Sequence, residues 1–498
     1  MPAVTKTGVS KVRKELFDIL EKYRLISDAL AGEKEIKEAG EKYLPIPSEA
    51  SNCETLKKER YKAYLTRAVY YNVIKPTRDA LVGQLFLRPP KVTLPPRMEM
   101  MANDVNGEGL GIEQLIRRAA NHVLPYGRCG FLADFPKTNG EVTATDIENG
   151  VRPVIKFYEP WAIINWRVEK RGNSKKLVLL VLQEIVEVPT QGNEFDMDLE
   201  NMYRVYRLSP EGQVTVELWE ENKNEVVKGE THVVRDSSGE SLTEIPFEFI
   251  GSENNDAEID EPPLYSMATL NIAHFRNSAD YEESVFLVGQ PTPVYSGLTE
   301  DWAENYFKGG VPFGSRASVP LPEGASAQLL QAEPNTLAFE AMTHKEEQMI
   351  AIGAKIINPR QTVERKEAEI QIEAASQRSV LTTIKENLQM GFLACLKKAA
   401  SFVGESPDNI ELELNDNFDL TSMSAEELRW LIELFKANLL EFDAVHENLR
   451  RSGIVKNTPE QSKTLILGDL EFRKKMMVLE EKKEPNNLNP AKPEAKAE

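Results

Sequence analysis

The sequence predicts an α+β chain, and three observations predict it. Two long helical runs, LYSMATLNIAHFRNSADYEESVFLVGQ after Pro262-Pro263 and NTLAFEAMTHKEEQMIAIGAKII from Asn335, flank a Pro- and Gly-rich insert. Strand signals dominate between about Gly130 and Ile250, and the C-terminal part reads as a small helical bundle. At ~1.5 Å per residue the first run makes a rod of roughly 38 Å. It is too long for a routine core helix and, with Arg276, Asp280, Glu282 and Glu283, too polar to cross a bilayer. Such a rod needs a partner surface.

The elements follow in order. Apolar spacing at Leu16, Ile19, Leu20, Tyr23 and Leu25 fits an amphipathic helix over about 12–30. One helical stripe runs from Tyr61 through Leu85, so a single helix is expected from Leu56 to Leu87, bent at Pro76 and ended by Arg88-Pro89-Pro90. IEQLIRRAANHVL is a helix closed by Pro125 and Gly127. Then come strands at GFLADF, PVIKFY, AIINWRV, KLVLLVLQEIVEV, YRVYRL, QVTVELWE and HVVRD, in a mixed or antiparallel arrangement. GSENNDAEIDE reads as a solvated acidic linker before the first rod. In the insert, apolar runs around Val294 and Val319 predict two or three short strands, with a short helix near Trp302. A long helix to about Val403 carries the stripe Leu381, Ile384, Leu388, Phe392 and Cys395. ELELNDNF is strand-like, and helices start at the capping box Ser424–Glu427, at Asp443 and at Thr458-Pro459. The tail from Glu480 is Pro-, Lys- and Glu-rich and is expected to stay solvated.

The net charge of −19 argues against wrapping nucleic acid by neutralising phosphates, which requires a basic face. Acidity can serve solubility alone, or a like-charged wall along which DNA slides without sticking. Three distant cysteines, Cys53, Cys129 and Cys395, make neither a disulfide framework nor a zinc spacing. The opening residues lack an apolar core long enough for a signal peptide, and the longest apolar run, Leu177–Leu182, is too short to span a membrane.

Catalytic and metal motifs are not evident. The chain has no Gly-Lys dipeptide, so no Walker-type phosphate loop. The five histidines, His122, His232, His274, His344 and His446, show no ligand spacing. Cys129, His122 and Asp134 could supply a nucleophile, base and orienter, but nothing in the sequence fixes their geometry. The expectation is a protein that is not an enzyme and has no metal or other cofactor.

The runs PPLYSMATLNIAHFRNSADYEESVFLVGQPTPVYSG, GAKII and SQRSVLTTI, with LTRAVYYNVIKPTRDALVGQLFLRPP, YGRCGFLADFP and FYEPWAIINW upstream, resemble the tailed-bacteriophage (or prophage) portal proteins, over about Tyr43 to Ile454. The resemblance implies a portal fold assembled as a cyclic ring, usually of twelve subunits, at one capsid vertex. Its parts would be an N-terminal wing at 1–260, stem helices at 261–288 and 335–357, and a clip at 289–334. A tunnel loop at 358–368, a long wing helix at 369–404, a helical crown at 405–470 and a charged tail at 471–498 would complete it. The implied partners are double-stranded DNA passing through the channel, the terminase large subunit, a head-completion or adaptor protein, and the major capsid and scaffold proteins. No membrane is involved. The implied location is the virion, with the host cytoplasm during assembly.

The same resemblance assigns site residues. Tunnel-loop positions are Asn358, Arg360, Gln361, Thr362, Glu364, Arg365 and Lys366, whose cations and amides suit phosphate contact. Lys345 and Lys355, within about 80° of each other around the second rod, are the stem candidates for the channel. Trp302, Tyr306, Phe307 and Lys308 are the clip candidates for docking a partner, or else simply fill the core of a small subdomain. Two other readings compete: a helical adaptor or scaffold that forms no ring, and a carboxylate-dependent DNA-processing enzyme around Asp134. The C-terminal region is shorter than in better-known portal branches, without a long helical barrel.

Overall fold

The computed structural model describes residues 8–47, 54–136, 151–190, 195–222, 225–290, 292–306, 320–331, 336–357, 379–415, 425–437, 439–451, 455 and 457–468. The chain divides into two units, Met1–Asp416 and Asn417–Glu498.

In the first unit, α1 (Lys14–Ala31) buries Leu16, Leu20, Tyr23, Ile26 and Leu30, a stripe at helical spacing. It stops at Gly32, whose φ of 109° favours glycine. α2 (Glu33–Glu38), α3 (Glu54–Arg67) and α4 (Ile74–Leu85) follow. The single helix expected over 56–87 is therefore two helices. Pro76 does not bend a helix interior; it sits in the first turn of α4, where the missing N–H leaves no bond unmade.

β1 (Lys91–Thr93) precedes α5 (Ile112–Tyr126), which runs through Pro125 and ends at Gly127 with φ 76°. A Cβ at Gly127 would lie 3.0 Å from the Asp260 carbonyl oxygen, so close backbone approach also requires glycine there. The strands are β2 (Arg128–Asp134), β3 (Val154–Tyr158), β4 (Ile163–Arg171), β5 (Ser174–Pro189), β6 (Met197–Leu208), β7 (Val214–Asn222), β8 (Glu225–Val233) and β9 (Phe247–Gly251). They form two antiparallel sheets, a three-stranded one ordered β3-β2-β9 and a five-stranded one ordered β4-β5-β6-β7-β8. β9 matches none of the strands predicted by name. It is short, and its pairing with β2 brings together residues more than a hundred apart.

Next come α6 (Tyr265–Gly289), β10 (Thr292–Ser296), α7 (Glu300–Tyr306), β11 (Ser326–Leu330), α8 (Leu337–Ile357), α9 (Val380–Val403) and β12 (Glu411–Glu413). α9 lies on the β2–β9 face. Phe392 meets Phe131 edge-on with ring centroids 5.0 Å apart, and Phe402 stacks on Phe135 at 5.4 Å. A Cβ at Gly391 would fall 2.0 Å from Ile250 Cδ1, so this glycine lets the helix approach the sheet. β12 pairs antiparallel with β1, joining Val92 to Leu412.

The second unit contains α10 (Ala425–Lys436), α11 (Phe442–Arg451) and a helix over 459–468, here α12. All three agree with the predicted helix starts, although Ser424 itself lies outside the described residues. The predicted long helix begins, among described residues, at Val380.

Candidate functional site

α6 and α8 pack against each other as an antiparallel pair. Met267 Cε lies 3.5 Å from where a Cβ on Gly353 would sit, His274 Nε2 lies 3.0 Å from Glu346 Oε1, and the Tyr281 and Phe339 rings are 6.0 Å apart. On each helix these contacts recur every seven residues, the repeat that keeps one seam facing a partner helix. Farther along, Gln331 Nε2 donates to the Val288 carbonyl at 3.1 Å, where the arm passes into its small subdomain. There β10 and β11 form a two-stranded antiparallel sheet pairing Val294 with Gln328.

The base of α6 is anchored in the first unit. Asn271, fully buried, accepts from Val73 N–H at 3.1 Å and Ile74 N–H at 3.4 Å and donates to the Tyr71 carbonyl at 2.8 Å. The Ser278 hydroxyl accepts from Val69 N–H and donates to the Val69 carbonyl, both at 2.8 Å. These bonds explain why α3 and α4 are separate. Backbone groups at 69–74 that a continuous helix would satisfy internally are satisfied by α6 side chains instead. Tyr64 Oη donates to Asp280 at 2.6 Å, and Arg67 pairs with Glu283. Asn271, Ser278 and the His274–Glu346 pair were not singled out from sequence, although polar residues on the inward seam of a long helix are a readable signal.

Burial is uneven along the arm. All the buried residues of α6 lie between Met267 and Ala279. On α8 the residues described as buried are Met349 and Gly353. The outer half carries Val285, Phe286, Leu287, Leu337 (70% exposed) and Phe339 (54% exposed).

The predicted site residues fall as follows. Lys345 is on α8, half-buried and next to Glu346, the residue that faces His274. Lys355 is on α8, with its side chain outside the description. Trp302 is half-buried on α7. Tyr306 ends α7, its side chain again outside the description, and Phe307 and Lys308 lie outside the described residues. So do Asn358, Arg360, Gln361, Thr362, Glu364, Arg365 and Lys366.

Asp134 and its neighbours form an ion network. Asp134 accepts from Arg204 at 3.1 Å and Lys156 at 3.2 Å; Arg204 also holds Glu184 at 2.9 Å, and Tyr158 donates to Glu184. Burial pushes the Glu184 carboxyl up, but Arg204, Tyr158 and Lys156 outweigh it and hold the group below the usual carboxylate range. These contacts satisfy both carboxylates. Cys129 is fully buried and its thiol is pushed well up by desolvation, while His122 engages Glu159 at 3.4 Å. The structure therefore pairs Asp134 and His122 with other residues and buries Cys129 apart from them. Among the described residues no group of three or more His, Cys, Asp or Glu side chains could hold a metal ion, and no helix is long and apolar enough to cross a membrane.

The acidic stretch 251–261 is not the solvated linker expected. Asp260 is buried and accepts from Glu253 N–H at 2.7 Å, and burial raises its carboxyl. The carbonyls of Ala257 and Glu258 each accept from Arg128 Nη1 at 3.2 Å, and Asn255 donates to the Asn387 carbonyl of α9 at 2.8 Å. Arg128 lies against the Trp166 and Phe249 rings at 4.2 and 4.3 Å, and burial lowers its guanidinium to about 10. The loop's main-chain oxygens thus solvate one nitrogen of a buried cation, and the Asp260 and Asp256 carboxylates of the same loop favour its charge.

Residues 263–403 match the family described as a domain of unknown function (DUF4055). That stretch takes in α6 to α9. No curated protein matches the chain. Among solved structures, a chain in the virion of a native gene transfer agent (GTA) particle is 12% identical, covering 79% of this chain and 93% of that one, with a TM-score of 0.40. A chain in the neck of an empty GTA particle computed with C6 symmetry shows the same identity and coverage and a TM-score of 0.39. A third, in the neck of a native GTA particle computed with C12 symmetry, is 12% identical over 75% of this chain and 88% of that one, with a TM-score of 0.37.

Proposed function

We propose that this chain is a structural portal subunit, a phage-like virion protein that works as a ring of about twelve copies at one capsid vertex. The observation that carries the reading is the outer half of the α6–α8 arm: two helices, together bearing Phe286, Leu337 and Phe339, with no residue described as buried beyond Ala279 on α6 or before Met349 on α8. An isolated helix pair has little stability in water, because helices in proteins draw most of theirs from tertiary packing. Cyclic head-to-tail contacts between copies would cover those side chains and close on themselves. The resemblance of these same segments to portal stems supports this reading.

In this proposal α6 and α8 are the stem and the β10–α7–β11 subdomain is the clip. The segment 358–368 is the tunnel loop, acting from all copies on one DNA duplex. Arg360, Arg365 and Lys366 would touch phosphates, Gln361 and Thr362 would hydrogen-bond to them, and Lys345 and Lys355 would give transient contacts along an otherwise acidic wall. The clip would dock the terminase large subunit during packaging and a head-completion protein afterwards, with Trp302 as an anchor. Capsid and scaffold proteins would be the remaining partners. The role is structural rather than catalytic.

Native mass spectrometry and electron-microscope class averages of the purified full-length protein test it. A ring of about twelve copies with a central hole is the expected result; a monomer at every salt and protein concentration would overturn it. Given the ring, Arg360, Arg365 and Lys366 changed together to alanine should lower DNA retention with the ring intact.

A further inference from the structure

The five-stranded sheet ends in an unfinished edge. β4 pairs with β5 only as far as Ile163 opposite Leu182, whereas β5 continues to Pro189. On its other side β5 pairs with β6 without a break in register from Leu179–Arg207 to Pro189–Met197. Gln183 N–H donates to the Ala162 carbonyl at 2.8 Å, which shows that Gln183 turns its backbone toward the β4 side. Strand alternation then turns the N–H and C=O of Ile185 and Glu187 the same way. Among the described residues no strand pairs with them there. A cleft of about 760 Å³ opens beside this edge, lined by Glu184, Ile185 and Val186 on one side and by Asn106, Arg118 and Trp161 on the other.

The two faces of the edge differ in their mix of apolar and acidic side chains. The β5–β6 register puts Ile185, Met197 and Leu199 on one face together with Glu187, which lies opposite Leu199, and Ile185 and Leu199 are 67% and 68% exposed. Glu184, Asp198 and Glu200 lie on the other, with Val186 and Val188. Over 183–189 and 195–203 the sequence has no lysine or arginine, against Glu184, Glu187, Asp196, Asp198 and Glu200.

From this edge we infer a docking site for an extended segment of a partner protein in which apolar residues alternate with lysine or arginine. The segment adds as a strand to β5, with backbone bonds to Ile185 and Glu187 giving affinity. Its apolar side chains cover Ile185 and Leu199, and its cations meet Asp198 and Glu200, the Glu184 carboxylate on that face being already held by Arg204 and Tyr158. The charge pattern sets the sign of the partner: a nucleic acid or an acidic segment is repelled. The site does not depend on the ring, since the described residues that form it all belong to one copy.

The test uses the full-length protein and a capped seven-residue peptide of alternating lysine and valine, followed by calorimetry and by amide hydrogen exchange. Saturable binding is expected, with slowed exchange at Ile185 and Glu187 and weakening as salt rises. Alternate N-methylation of the peptide backbone should weaken binding at least tenfold without touching the protein, and Ile185→Pro should do the same while leaving the thermal melt unchanged. Equal binding of the N-methylated peptide, or unprotected Ile185 and Glu187 amides at saturation, would overturn strand addition. No binding at about 1 mM would also overturn the inference, leaving the carboxylates as guards against edge pairing.

Discussion

α6 and α9 are nearly the same length, 25 and 24 residues, yet they live differently. α9 has buried residues from Leu381 to Val403, packed on β2 and β9, so its packing is complete within one chain. α6 buries residues only over its first half; beyond Ala279, Tyr64 and Arg67 of α3 still reach Asp280 and Glu283, but Val285, Phe286 and Leu287 are exposed. Helix propensity does not separate them, and what differs is the supply of partner surface. A region that satisfies itself maintains the fold, whereas one that does not is where the proposed ring contacts would fall.

The sharpest way to break this comparison is Phe392→Ala. Phe392 is fully buried against Phe131, and a large-to-small change in such a core costs about 3–5 kcal/mol. Urea unfolding should show that loss in any assembly state. A cost below about 1 kcal/mol would mean that the body is no better packed than the arm.

Next in size is Asn271→Ala, where the two regions join. It strands two backbone N–H groups and one carbonyl in a buried site, and unsatisfied buried groups cost about 1–3 kcal/mol each. Partial rescue by water or relaxation should leave a net loss of about 2–3 kcal/mol in unfolding experiments. Hydrogen exchange should quicken at Val73 and Ile74 before it does in β2. If exchange quickens equally everywhere, Asn271 is an ordinary core residue and not the anchor of the arm.

What the sequence made legible follows the same division. The two rods, the insert between them and most strands could be read because their signals are local: apolar periodicity, and Gly or Pro at the ends. The break between α3 and α4 was not legible, because it is made by Asn271 and Ser278, about two hundred residues away. The packed loop at 251–261 was misread for a similar reason. Its acidic side chains signal solvent, while its hydrogen bonds to Arg128 come from main-chain carbonyls that any residue carries, with Asp260 and Asp256 adding favourable charge. Of the candidate site, the rods were placed within a few residues, and Trp302 does lie on a short helix. The tunnel-loop positions were reached through resemblance alone.

A pH experiment sharpens the body side of the comparison. Glu184 has its folded pKa held below the ordinary value, so its stabilisation is present above about pH 4.5 and is lost as pH falls through the folded value. Glu184→Gln cannot make the charged bonds to Arg204, a loss of about 1.5–2 kcal/mol at neutral pH, moderated because Asp134 still holds Arg204. Plotted against pH, the stabilities of wild type and variant should converge in acid. A constant gap would assign the loss to packing.

The smallest expected effect on stability is the most informative about assembly. Ile350 is on α8 beside the buried Met349 yet is 69% exposed. Replacing it with serine removes little that a single chain buries, so dilute monomer should unfold within about 0.5 kcal/mol of wild type. In a ring the same side chain would lie against the neighbouring copy, and the loss would be repeated at every interface around the circle. A closed ring needs all its interfaces at once, so a small defect per contact multiplies across the assembly. Native mass spectrometry should therefore show rings giving way to monomers for Ile350→Ser while urea unfolding of the monomer barely moves. If rings persist unchanged, the contact between copies lies on another face of the arm, and Phe339→Ser becomes the substitution that locates it.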